Sequence, residues 1–399
     1  MRKRAARGTM PSVRLLVGIA LAMAALATRA YAAEEPCAPP VAASDGIEVA
    51  TPEATGFDAA ALCRALSEVA RGSANVHAVL VERHGRLVAE LYRDGLDRPI
   101  DEHYGVHLFA SHTHFAADVL HDVRSISKSV TSLLFGIARS DGRIPELGTP
   151  ALSLLPELAD LRSPERDRVT LAHLLTMSSG LAWDEWNAGP LTSDETRLFW
   201  KADPARFLFD RPFAAPPGTR FEYDGGGTAT LAEILVRASG KPLDELAREQ
   251  LFEPLGITQW AWARDFRGRP LAYAGLRLRP RDMAKLGRLV LDGGRWRGRQ
   301  VVPEAWVAES LRSHISTGIP LPPGAPENVG YGYQWWTGRT PWKDRRVTWS
   351  AGLGNGGQRI FVVPELDLVV VTTAGDYGMR EIAGTVGHIF QQVVAAVAE

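Results

Sequence analysis

The sequence predicts an α+β sandwich: an antiparallel sheet built from both chain ends, flanked by helices, with a large helical region inserted between its halves. Three observations carry this. Two β-patterned runs near the start, His77–Arg83 and Arg86–Tyr92, meet at His84-Gly85, a hairpin signal. Three more close the chain, Arg345–Trp349, Gln358–Pro364 and Asp367–Thr373, the last two around a tight turn at Glu365-Leu366. Between them, roughly residues 150–320 carry the helical period, punctuated by Pro and Gly.

Taken in order, residues 1–33 read as an export signal. Arg2, Lys3, Arg4, Arg7 and Arg14 form a basic region, Leu15–Leu26 an apolar core, and Ala30-Tyr31-Ala32 a small-x-small site, so cleavage after Ala32 or Ala33 is expected. The apolar core is too short for a membrane span. An exported protein is expected, periplasmic or secreted, with no membrane attachment once the signal is removed. Residues 34–55, rich in Pro, Ala and Glu, read as a loosely held arm, and residues 56–399 as one catalytic domain. Phe57–Val69 has helical spacing; residues 94–121 form an irregular stretch; a helix following Ser125 is closed by Asp141-Gly142. Val169–Met177, Thr228–Ala238, Pro242–Phe252, Arg281–Leu291 and Pro303–Ser313 are the inserted helices, and Met379–Val397 ends the chain. Cys37 and Cys63 either pair, as an oxidising compartment permits, or remain free thiols.

Removal of residues 1–33 takes away five arginines and Lys3 and no acidic residue, turning a formal charge of −1 into −7. That balance gives no reason to expect nucleic acid or an anionic membrane as partner. A small molecule is the expected partner.

The chemistry starts at Ser125-Ile126-Ser127-Lys128. On a helix, positions three apart share a face, so the Ser125 hydroxyl and the Lys128 amine can meet. A serine is a poor nucleophile until a base takes its proton, and a desolvated, neutral lysine can be that base. The helix N-terminus adds partial positive charge where an attacked carbonyl becomes an oxyanion. Lys128 is the lone lysine between residues 4 and 200 of an arginine-rich chain. An arginine would serve a surface equally well but cannot give up its proton.

Two further segments fit. Tyr223, in Phe221–Gly227 just before a helix, can present its hydroxyl from a glycine-rich loop as a proton relay to the leaving group. Trp349–Gln358, with Gly352, Gly354 and Asn355, joins two β runs; glycines there let a ligand approach the backbone, whose N–H groups can complete an oxyanion hole. A core tyrosine and a plain hairpin loop are the alternatives for each segment alone.

In this order, S-x-x-K, a Tyr-containing loop and a Gly-rich strand near the C-terminus resemble the serine β-lactamase and penicillin-binding-protein superfamily. Val123–Ser132, Leu171–Leu181, Pro217–Tyr223, Tyr331–Trp336 and Gly356–Leu366 are similar to its class C-related branch of esterases and 6-aminohexanoate-dimer hydrolases. The resemblance implies a β-lactamase/transpeptidase-like fold and an acyl-enzyme on Ser125. It makes Lys128 the base and Tyr223 the proton relay, with no metal or cofactor. The backbones of Ser125 and of the Gly352–Asn355 strand would hold the oxyanion. Two departures stand out. The second motif, usually Tyr-Ser/Ala-Asn, is Tyr223-Asp224-Gly225; the third, usually Lys/His-Thr/Ser-Gly, is Ser350-Ala351-Gly352. Loss of the basic residue removes a charge-assisted contact to a substrate carboxylate, worth about 1.5–3 kcal/mol.

His112, His114 and Asp118, with His103, His107 and His121 nearby, suggest zinc, but no later cluster completes a tetrahedral set. Trp183, Trp186, Trp335 and Trp336 are candidates to line an apolar cleft, and Asp184 and Glu185 to meet a substrate amine or simply face water. The sequence therefore predicts an exported serine hydrolase acting on a small ester or amide. The alternatives are a β-lactamase or D,D-peptidase acting on cell-wall peptides, and a non-catalytic ligand-binding module.

Overall fold

The structure, a computed structural model, describes residues 37–100, 110–185, 189, 192–319 and 329–398. The export signal, His103, His107 and Trp186 lie outside the described residues.

The main sheet has nine strands: β1 Glu48–Val49, β2 Val76–Arg83, β3 Arg86–Tyr92, β4 Ile315–Ser316, β5 Gly330–Tyr331, β6 Trp336–Trp342, β7 Arg345–Gly354, β8 Gln358–Val363 and β9 Leu368–Ala374. Their order is β1-β3-β2-β9-β8-β7-β6-β5-β4. Strands from the two chain ends meet where β9 pairs antiparallel with β2, Val370 opposite Val81. All pairs are antiparallel except β1 with β3, which makes the sheet mixed at that edge. β2 and β9 are buried along their whole length and on both faces, so they read as continuous apolar runs rather than alternations.

Helices cover both faces. On one side lie α1 (Ala59–Arg71) and α6 (Glu381–Ala395), with Phe390 stacked on Phe361 of β8 at 4.1 Å. α1 starts where Asp58 accepts a hydrogen bond from the Ala61 N–H, and it buries the stripe Leu62, Leu66 and Val69. On the other side lie α2 (Ile126–Ser140), α3 (Gly225–Ser239), α4 (Pro280–Leu291) and α5 (Glu304–Leu311) with shorter inserted helices. α4 reaches the sheet closely because Gly287 has no side chain; a Cβ there would lie 2.5 Å from Val369 Cγ1. Thirteen consecutive residues of α2, Ile126 to Ala138, are buried, which makes it the helix at the centre of the core.

The arm is held more firmly than its composition predicts. Cys37 and Cys63 form a disulfide, β1 adds to the sheet edge, and Arg281 binds Asp45, Glu90 and the Val41 carbonyl. These are long-range contacts that no local pattern announces. Periodicity also missed β6, and it missed a small sheet in which His121–Asp122 pairs with Leu276–Leu278, itself paired with Ala261–Trp262. That small sheet anchors the chain just ahead of Ser125.

The histidines near the zinc expectation have other places. His114 pairs with Asp94 at the surface. His121 lies buried in a stack with Phe115 and His77. Burial pushes the His77 imidazole down from 6.5 to about 4, and burial followed by His77 itself pushes His121 the same way. The unfolded chain takes up these protons near pH 6.5, whereas the folded chain takes up that of His77 only near pH 4. The stability contributed by neutral His77 is therefore present above pH 6.5 and lost as pH falls toward 4, by about 3 kcal/mol in all. Denaturant unfolding at pH 7 and pH 4.5 tests this: His77→Gln should be destabilised at pH 7 and much closer to wild type at pH 4.5. A constant gap between the two proteins would refute it.

Candidate active site

Ser125 stands at the N-cap of α2 but makes no capping hydrogen bond with its side chain, which is unusual for a serine there. The hydroxyl instead faces Lys128, whose Nζ donates to Ser125 Oγ at 3.1 Å. Lys128 is 1% exposed and also donates to the Tyr273 carbonyl at 3.0 Å. Tyr223, at the loop entering α3, interacts with both Ser125 and Lys128, and the Lys128 Nζ lies 4.7 Å from its ring centroid. The structure thus brings the three predicted residues together in one buried cluster.

The local chain explains how they meet. The strand at His121–Asp122 feeds a tight turn at Val123-Arg124, and α2 begins at once, one helical turn carrying Ser125 to Lys128. Asp224 caps α3 by accepting from the Gly227 N–H, while its own N–H reaches Met177 Sδ at 3.0 Å. Tyr223 is thereby fixed between two elements. Arg124, Met177 and Gln334, three non-glycine residues with φ of 51°, 56° and 64°, all adjoin this cluster. Such conformations cost roughly 1 kcal/mol or more each and gather where the fold over-determines a site. Gln334 shows how: it accepts from Thr228 on α3, donates to the Leu174 and Leu175 carbonyls, and receives Ser129 of α2 on its own carbonyl.

Two carboxylates that the sequence did not assign to the lysine complete the cluster. Glu185 Oε1 and Glu195 Oε1 each lie 3.6 Å from Lys128 Nζ. Glu185 is fixed by the Trp183 indole N–H at 3.1 Å and the Gly225 N–H at 2.9 Å. Gly225 stands where the second motif usually has Asn, and a Cβ there would lie 3.5 Å from Glu185 Oε2. The space left by the missing Asn side chain is bordered by Glu185. Glu195, on the short helix Asp194–Phe199, carried no local signal. The acidic pair at Asp184-Glu185 was visible, but its direction was not.

These carboxylates change the expected protonation. Burial alone would push Lys128 down, but Tyr223, Glu185 and Glu195 outweigh it and hold the amine above its ordinary range. The resting lysine is an ammonium, not the neutral amine expected from desolvation. Burial pushes Tyr223 up to about 12 against the pull of Lys128. Burial and then Glu195 push Glu185 up to about 8, with Lys128 acting the other way. An ammonium donating to Ser125 Oγ cannot also accept its proton. The group that can is the Lys128–Tyr223 pair after it has lost one proton.

The remaining predicted residues fall into two groups. Gly352 and Gly354 of β7 lie against α2: a Cβ on Gly352 would be 3.3 Å from Ser129 Oγ, and one on Gly354 would be 2.3 Å from the Val123 carbonyl. Glycine at 354 lets the strand end press against the nucleophile's turn. The Asn355 side chain, in contrast, accepts from the Gly378 N–H at 2.8 Å and serves the turn. Trp183 acts on Glu185 as described. The Asp184 backbone N–H is held by Asp194 at 3.0 Å. The substrate-lining expectation for Trp335 is corrected: this residue, just ahead of β6, is 1% exposed within the core, and Trp336, the first residue of β6, is the one beside Tyr223 at 5.6 Å.

With this geometry in view, comparison with known proteins is direct. A family model described as Beta-lactamase matches residues 65–384, and the chain belongs to that family. The fold is that of the β-lactamase and penicillin-binding proteins: the penicillin-binding protein homologue from Pyrococcus abyssi superposes with a TM-score of 0.57 at 20% identity, over 81% of this chain and 74% of that one. Among curated proteins, the chain is 29% identical over 308 residues to a 6-aminohexanoate-dimer hydrolase of Paenarthrobacter ureafaciens, covering 74% of this chain and 71% of the relative. It is also 29% identical over 205 residues to a lovastatin esterase of Penicillium rubens, covering 44% and 47%.

Proposed function

We propose that the protein is an exported serine hydrolase that cleaves a small ester or amide through an acyl-enzyme on Ser125. The observation that carries this reading is the Lys128 Nζ hydrogen bond to Ser125 Oγ at 3.1 Å, with the Tyr223 ring 4.7 Å from the same Nζ. The Lys128–Tyr223 pair, one proton short of its resting state, takes the Ser125 proton as the oxygen attacks the acyl carbon. The same pair returns that proton to the leaving alcohol or amine, and water then repeats the sequence to release the acid. Glu195 lies beside the nucleophile's lysine, Glu185 adds negative charge there once it ionises near pH 8, and position 350 offers no cation. Both features favour a neutral acyl group over a carboxylated one. The hydrolase and esterase names of the relatives agree with this choice, and residues 1–33 supply the export reading.

The test is turnover of p-nitrophenyl acetate and butyrate, a 6-aminohexanoate dimer and nitrocefin by the mature protein, with Ser125→Ala as control. Serine-dependent turnover of an ester or the amide, with nitrocefin intact, is expected. Nitrocefin as the best substrate would overturn the argument from charge.

The pH dependence follows from the same cluster. Glu185 raises both Lys128 and Tyr223, so Glu185→Gln should let the pair lose its proton at lower pH. The rising limb of kcat/KM is expected to move about one unit toward acid. A limb that stays in place or moves toward alkali would show that Glu185 does not set the pair's protonation.

A further inference from the structure

The backbone immediately before Ser125 is left-handed without a glycine to make it so. Arg124 has φ 51°, and its carbonyl receives both the Ser127 N–H at 2.9 Å and the Ser127 hydroxyl at 2.6 Å. Its conformation therefore sets where the first turn of α2 begins. A residue with a Cβ is kept in this region only when its surroundings insist on it.

The surroundings do so through the Arg124 side chain, which is 7% exposed. Its own N–H donates to Asp122 Oδ1 at 3.0 Å, its Nε lies 3.3 Å from Asp122 Oδ2, and its Nη2 donates to the Arg98 carbonyl at 2.5 Å. Asp122 is held in turn by the Ile100 N–H at 2.9 Å. On its other side the guanidinium carbon sits 4.1 Å from the Tyr377 ring centroid, a stacking that suits a planar cation. The Tyr377 hydroxyl donates to Asp97 Oδ1 at 3.1 Å, which fixes the ring.

Tyr377 belongs to the other half of the site. Its ring fills the space over Gly356, where a Cβ would lie 2.4 Å away, and the adjoining Gly378 N–H holds Asn355. One side chain thus reaches from the nucleophile's backbone to the turn following β7, while Gly354 presses on Val123 between them. We propose that Arg124 is a positioning residue: clamped between Asp122 and Tyr377, it sets the peptide of Ser125 against the Gly354–Gly357 turn, and through that turn against the Gly352–Asn355 segment expected to share the oxyanion with it. The inference rests on the acyl-enzyme reading above and deepens it.

A residue needed only to relieve backbone strain would be replaced best by glycine, which separates the two roles. The experiment compares Arg124→Gly, Arg124→Ala, Arg124→Lys and Tyr377→Leu for kcat and KM on the best p-nitrophenyl ester. Fluorophosphonate labelling rate and thermal midpoint are measured beside them, with Ser125→Ala as reference. A clamp predicts that Gly and Ala both lose roughly 10- to 100-fold in kcat and in labelling rate, with KM within about twofold. Lys should recover part of the loss, and Tyr377→Leu should reproduce it while Tyr377 variants remain folded. Near-wild-type kcat in Arg124→Gly, or in Tyr377→Leu should the Arg124 variants not fold, overturns the clamp. If Ser125→Ala itself still labels and turns over, the nucleophile assignment fails instead.

Discussion

Ser125→Ala is expected to reduce turnover by about 10⁴-fold or more, because the proposed mechanism forms its acyl bond on this hydroxyl. Lys128 and Tyr223 would remain, but each only moves a proton. Deletion of the hydroxyl should leave the fold intact, since Ser125 makes no capping hydrogen bond with its side chain. The variant should therefore unfold at nearly the wild-type temperature while failing to show a burst of p-nitrophenol. A variant that folds normally and keeps more than a few per cent of the activity would place the nucleophile elsewhere. Mass spectrometry after brief mixing with an ester would show the same thing directly, as an acyl adduct on the Ser125 peptide that is absent from the alanine protein.

Lys128→Met is expected to have the second largest effect, on two separate measurements. Activity should fall by about 10³- to 10⁴-fold, because Tyr223 loses the cation that draws its proton affinity down and Ser125 loses its hydrogen-bond donor. Stability should also fall, by about 3 kcal/mol, because Glu185 and Glu195 are left beside a neutral side chain, Glu185 deeply buried. The double variant Lys128→Met with Glu185→Gln separates the two effects. It should regain much of the stability and none of the activity, since removing the stranded carboxylate repairs the charge balance but not the proton transfer. Recovery of turnover in the double variant would mean that Lys128 serves only to neutralise Glu185. Lys128→Arg should be no better than Met for catalysis, because a guanidinium keeps its proton throughout.

Much of this arrangement was legible before folding was considered. Ser125 and Lys128 are one helical turn apart, so their meeting is a local event that spacing alone encodes. The hairpin of β2 and β3, the strands β8 and β9 and the long helices were equally local, the strands marked by β-rich runs between turn residues and the helices by a period of 3.6 residues. Gly354 was expected to let a ligand approach the backbone, whereas the Val123 carbonyl is what approaches it.

What the tertiary structure alone decided is the company those residues keep. Glu185, Glu195 and the Tyr273 carbonyl arrive at Lys128 from three separate segments of the inserted region. No periodicity in their own neighbourhoods marks that destination. Tyr223, Glu185 and Glu195 together hold an expected neutral base as an ammonium, because the charge of a buried amine depends on what packs around it rather than on its neighbours in sequence. The same holds for Trp335 and Trp336: the two tryptophans were visible, but only the packing of the chain entering β6 determined which one faces Tyr223 and which one enters the core. Local spacing names the groups that can react; long-range packing sets their charge, their orientation and the pH at which they can do so.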